Sequence, residues 1–192
     1  WGYHGNSNQK WLIKSQEDIY AELDQLAAKN VNAIADGSYT IYASSISRFP
    51  VLDVKGGATA NGANVQTGTS SASASQVWEI SHVGNYVLVK NKKAGKYLSV
   101  ASNNSLSGAN VVLGSNASTR GAKWIFIKNS DGTFFVRSAL YTNISLDIYG
   151  GKSASGTNVE TYTSNSGKAQ KFAVVSTPAQ VGTCDKIIDT NG

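Results

Sequence analysis

Short apolar runs bounded by glycine- and serine-rich stretches recur along most of this chain in a fixed order. Gly37-Ser38-Tyr39, Gly84-Asn85-Tyr86 and Gly132-Thr133-Phe134 each open such a run, at intervals of 47 and 48 residues. Val51-Leu52-Asp53-Val54, Tyr97-Leu98-Ser99-Val100 and Ser145-Leu146-Asp147-Ile148 follow at 46 and 48. Next come loops ending in Asn64-Val65, Asn110-Val111 and Asn158-Val159, and the units close on Gln76-Val77-Trp78, Ala122-Lys123-Trp124 and Gln170-Lys171-Phe172. One unit of this length cannot bury its apolar face alone, so the three must share a core. The pattern predicts an all-β fold of three repeats, residues 36–82, 83–129 and 130–176, with four short strands each. Twelve strands in three units fit a threefold barrel with a hairpin cap, whose closure removes exposed sheet edges. Leu52, Leu98 and Leu146, with Trp78, Trp124 and Phe172, are the expected inward residues, and Gly62, Gly108 and Gly156 the expected turn glycines.

The pattern changes before the repeats. Ser15 followed by Asp18 resembles a capping box, Ile19, Leu23 and Leu26 share one helical face, and Asn30 is a plausible stop. Residues 15–35 are therefore expected to form a helical linker, with a helix over about 16–29. An isolated helix of this length is marginal in water, so a frayed linker is the competing expectation. Residues 177–192 carry linker-like composition and no functional signal.

Composition narrows the chemistry. Charged residues are only 15% of the 192, and the net charge is +5. Residues 36–176 hold thirteen Lys/Arg against six Asp/Glu, but only Lys90, Lys92, Lys93 and Lys96 cluster. Scattered bases favour a solvated surface over a nucleic-acid interface. The single cysteine, Cys184, has no partner for a disulfide. No apolar run is long enough to span a bilayer as a helix. His4 and His82 have no ligand cluster at metal spacing. Gly150-Gly151-Lys152-Ser153 fails as a phosphate loop because Leu146 stands where the first glycine belongs. The six acids are spread over three units, so no catalytic pair is expected, and no metal or cofactor.

The L-D-V block, the following small-residue loop with Asn-Val and the closing Gln-x-Trp together resemble the ricin B-type β-trefoil lectins, also found as carbohydrate-binding modules on bacterial glycosidases. The likeness covers residues 36–176. It implies a β-trefoil with up to three shallow sugar sites, and a secreted or cell-surface setting. In that family a working unit has an aromatic residue after its third strand, a polar residue three further on, then Asn, Gln and Trp at seven, eight and ten. Unit three matches best, with Asp147, Tyr162, Asn165 and Gln170, departing at Ala169 in the Asn position. Unit one keeps Asp53 and Gln76 but has Gly68 for the aromatic and Ser75 for the Asn, so it should be weak unless Asn64 takes over. Unit two, with Ser99, Gly114, Gly121 and Ala122, should have no site of the usual kind.

The first residues follow the same pattern. Trp1, His4, Asn8, Gln9 and Trp11 resemble the second half of a further unit, so residues 1–14 are expected to end an upstream trefoil repeat, with Trp1, His4 and Asn8 as a half-site. The resulting expectation is a non-catalytic, monomeric carbohydrate-binding module within a larger multidomain chain. Its ligands would be galactose-type, plant or mucin glycans, with no nucleic-acid partner, no membrane insertion, and any enzyme elsewhere in the parent protein. Two alternatives stay open: a degenerate trefoil serving as spacer or protein-interaction module, and an electrostatic binder of anionic glycans through the lysine cluster.

Overall fold

The computed structural model describes residues 14–177. Each unit contributes four strands. Unit one has β1 (Gly37–Ala43), β2 (Val51–Val54), β3 (Val65–Gly68) and β4 (Trp78–Val83), and unit two has β5 (Tyr86–Asn91), β6 (Tyr97–Val100), β7 (Ala109–Gly114) and β8 (Lys123–Lys128). Unit three has β9 (Phe134–Ser138), β10 (Ile144–Ile148), β11 (Val159–Thr163) and β12 (Phe172–Ser176). The first and last strands of the units pair antiparallel in a ring, β1–β4–β5–β8–β9–β12, and β12 returns to β1. The inner strands form three hairpins, β2–β3, β6–β7 and β10–β11, which close one end of this barrel. This is a β-trefoil.

The apolar alternation fills the barrel as expected. Leu52, Leu98, Leu146, Trp78, Trp124 and Phe172 are all buried. Trp78 Nε1 donates to the Leu52 carbonyl at 3.1 Å and Trp124 Nε1 to the Leu98 carbonyl at 2.9 Å, so both buried indoles are satisfied. Phe172 fills the third position without a donor. Gly62, Gly108 and Gly156 take φ of 81°, 83° and 86°, a left-handed turn that costs glycine little.

The Asn of each Asn-Val block lies at the threefold axis. Asn64 Nδ2 donates to Asn158 Oδ1 (3.0 Å), Asn158 Nδ2 to Asn110 Oδ1 (2.9 Å), and Asn110 Nδ2 to Asn64 Oδ1 (2.9 Å). The three amides form a closed cycle. Each side chain uses one donor and its acceptor within the ring, which ties the three hairpins together.

Helix α1 (Gln16–Asn30) starts at the expected capping box. Ser15 Oγ accepts from the Asp18 amide at 3.0 Å, and Asp18 Oδ2 accepts from the Ser15 amide at 3.1 Å. The helix is docked, not frayed. Leu23 and Ala27 are fully buried against Tyr86, Ile125 and Ala139, while Ile19 and Leu26 are only half-buried. The expected face of Ile19, Leu23 and Leu26 does pack inward, with Ala27 joining Leu23 as the most deeply buried pair. A polar clasp locks it. Tyr86 OH donates to Asp24 Oδ1, Arg120 reaches both Tyr86 OH (3.1 Å) and Asp24 (3.3 Å), and its guanidinium lies 3.7 Å from the Tyr20 ring centre. Burial, then the Asp24 hydrogen bond, push the Tyr86 hydroxyl up to about 12. No helix among the described residues is long and apolar enough to cross a membrane.

Candidate functional site

The β10–β11 hairpin of unit three builds the best-furnished recess on the surface. Asp147 on β10 stands opposite Glu160 on β11, and Ser145 opposite Tyr162. Beyond β10 the chain turns through Gly150 and Gly151, both left-handed at φ 60° and 61°, which leaves room beside the hairpin. The result is a cavity of about 480 Å³ lined by Asp147, Glu160, Tyr149, Tyr162, Asn165 and Lys168, together with the two glycines. Tyr149 and Tyr162 are 51% and 45% exposed, with Lys152 Nζ 5.1 Å over one face of the Tyr149 ring.

Three of the four expected unit-three residues meet here. Asp147, Tyr162 and Asn165 share the cavity. Gln170 lies behind it, 1% exposed: Oε1 accepts from the Asn165 amide at 3.0 Å and Nε2 donates to the Thr163 carbonyl at 3.0 Å. It shapes the loop that presents Asn165 and is not a cavity-lining residue. Asn165 Oδ1 in turn accepts from the Gly167 amide, 2.8 Å away, leaving its NH2 free of intramolecular partners among the described residues.

The sequence predicts no pair among the six acids, but the structure brings two of those in unit three together. Asp147 and Glu160 are 5% and 8% exposed. Burial pushes the Asp147 carboxyl above its usual range, and the Gln170 amide offsets part of the rise. Glu160 is pushed up by burial first and then by the negative charge of Asp147. Both carboxyls enter from one wall, as neighbours on adjacent strands. Both carboxyl groups therefore face the recess from the same side.

The other two units lack this furnishing. In unit one, Asp53 accepts from Ser75 Oγ (2.7 Å) and Gln76 Nε2 (2.9 Å), so each carboxylate oxygen already has a partner. A Cβ at Gly68 would stand 2.6 Å from Asp53 Oδ2, so the aromatic position is closed as well as empty. Asn64 is no substitute contact, because its amide belongs to the axial ring. In unit two the corresponding recess, about 440 Å³, is lined by Ser99, Asn103 and Gly114 among others, with neither a carboxylate nor an aromatic ring. Asn103 Oδ1 caps the Gly121 amide at 2.9 Å. Lys92 and Lys93 are exposed and Lys90 and Lys96 half-buried, around the turn between β5 and β6. Trp1, His4, Asn8 and Cys184 lie outside the described residues. Among those described, no group of three or more His, Cys, Asp or Glu could hold a metal ion.

Glu160, Tyr149 and Lys168 were not picked out from sequence because they lie outside the motif. The alternation in the hairpin could have found Glu160, since pairing Ile148 with Val159 sets Asp147 against it.

The family described as ricin-type beta-trefoil lectin domain-like matches residues 29–114 and 74–162. No match is found among curated proteins. Among solved structures, the designed threefold-symmetric protein ThreeFoil is 26% identical over 74% of this chain and 100% of its own, with a TM-score of 0.70. The Rhizoctonia solani agglutinin is 27% identical, covering 75% of this chain and 97% of its own at a TM-score of 0.67. The ricin B-like lectin of Macrolepiota procera, solved in complex with lactose, is 18% identical over 75% of this chain and 99% of its own, at 0.64. The ricin B-like fold is one of carbohydrate-binding, non-catalytic lectin domains, and this chain belongs to the ricin-type beta-trefoil lectin domain-like family.

Proposed function

We propose that this chain is a non-catalytic glycan-binding module whose site is the unit-three cavity. One observation carries the reading: only there among the three units do a carboxylate, exposed aromatic rings and a side-chain amide line one recess. Asp147 accepts hydrogen bonds from vicinal sugar hydroxyls, and bonds to a charged acceptor are the strong ones. Tyr162 and Tyr149 cover the apolar face of the ring, and Asn165 offers its amide to the rim. The module serves a secreted or cell-surface protein, where a weak single site gains from being tethered near its glycan. Galactose-type sugars are the first ligands to test.

The test is a glycan-array screen of the chain beside Asp147→Ala, Tyr162→Ala and Asp53→Ala. Signal on a defined glycan that the first two changes abolish and the third keeps supports the assignment. A folded chain that stays dark at high glycan density favours the spacer or protein-interaction reading, which the poor furnishing of units one and two supports.

A further inference from the structure

Two acids in one wall are more than a neutral sugar needs. Like charges directly opposite on paired strands repel, and their burial adds to the cost. No cation of the chain neutralises them among the described residues. Lys168 is exposed on the rim and makes no ion pair with either acid, Lys152 lies 5.1 Å from the Tyr149 ring centre, and the ion pairs formed by described residues lie elsewhere. Glu160 is 8% exposed as a residue, its side chain lines the cavity, and its carboxylate has no hydrogen-bond partner among the described residues. Its counterparts opposite the Asp53 and Ser99 positions are Gln66 and Val112, so the second acid is peculiar to unit three.

Resting on the glycan-binding reading, we infer that the pair Asp147–Glu160 selects a sugar bearing a protonated primary amine, a 2-amino-2-deoxy hexose without its N-acetyl group. The ammonium lies between the two carboxylates, donating to Glu160 and Asp147, while the sugar ring rests on Tyr162 or Tyr149. An aromatic wall beside two carboxylates suits a cation twice over, because the ring face also attracts positive charge. Lys168 opposes this only weakly, since its exposed ammonium can extend into solvent. N-acetylation removes the charge and leaves Glu160 facing an amide.

The test is calorimetric titration at neutral pH with galactosamine and glucosamine, their N-acetyl forms, the parent neutral hexoses, and ethylamine as an amine without a ring. The expected result is about tenfold or greater preference for the free amino sugar over its N-acetyl form, as a charge-assisted contact in a shielded site allows. Ethylamine alone should not bind measurably. Glu160→Gln should bring the preference close to unity, with circular dichroism confirming the fold. Equal or tighter binding of the neutral or N-acetylated sugars overturns the inference and leaves the glycan-binding reading intact. An amino-sugar preference unchanged in Glu160→Gln overturns the role of Glu160, and ethylamine binding as well as the amino sugar overturns the sugar as the ligand class. Binding of none of the sugars overturns both readings.

Discussion

Units two and three share one backbone plan and differ in what they place on it. Both turn after their second strand through two left-handed residues, but unit two uses Ser102 and Asn103 where unit three uses Gly150 and Gly151. Asn103 spends its side chain on the Gly121 amide. Unit three leaves that space open and lines it with two acids and two tyrosines. The reverse holds inside the barrel, where Trp124 satisfies its indole on Leu98 and unit three makes do with Phe172. The barrel and the axis thus carry stability in all three units, and the cap surface is free to diverge.

That division of labour can be broken from the inside first. Trp124→Ala should cost about 3–5 kcal/mol of unfolding free energy, the range for emptying a large aromatic site. Phe172→Ala should cost less, since it orphans no carbonyl partner; denaturant melts of both variants give the difference. At the surface the asymmetry should run the other way. Asp147→Ala removes hydrogen bonds to a charged group worth about 1.5–3 kcal/mol, a loss of roughly ten- to a hundredfold in glycan affinity, while Asp53→Ala should leave affinity unchanged by the same titration.

Transplanting the platform sharpens the comparison further. Gly68→Tyr pushes a Cβ onto Asp53, which Ser75 and Gln76 hold in place. It should destabilise by about 1–3 kcal/mol, as overpacking does, and a melt that shows no loss would mean that Asp53 swings aside freely.

The smallest effect concerns the acid pair. Both folded-state carboxyls titrate above their usual range, so their favourable contribution is complete at low pH and is lost as pH rises through the raised values. Glu160→Gln should therefore melt roughly 1–3 °C above the parent at neutral pH, a gain below about 1 kcal/mol. The gap should close below about pH 4, where ordinary carboxyls are protonated. Thermal melts from acid to neutral pH check the sign.

The barrel was legible in the sequence because its signals repeat: three leucines, three closing aromatics and three turn glycines mark the same places. The family motif singles out Asp147, Tyr162 and Asn165, which the fold gathers around one recess. Asn64, the residue expected to take over if unit one bound sugar, has its amide in the axial ring, and Asn110 and Asn158 recur at its position even in the poorly furnished unit two. A residue present in every unit regardless of its surface furnishing points to the axis, not to a ligand. Glu160 was missed because its meaning depends on register across a hairpin, and the Asp24–Tyr86–Arg120 clasp because its members lie up to 96 residues apart. Such pairings emerge only from the folded chain.

The ring of asparagines has a consequence for how the molecule comes into being. Its bond from Asn64 to Asn158 joins residues 94 apart, and none of the three amides is fully satisfied until all three hairpins are present. Contacts that distant must overcome loop-closure entropy before they return any stability, which slows folding. During synthesis, units one and two must wait with an unfinished axis until Asn158 emerges, and with an open barrel until β12 does. The hairpin bearing the proposed site thus supplies the last member of the axial cycle, and the strand that follows it closes the barrel.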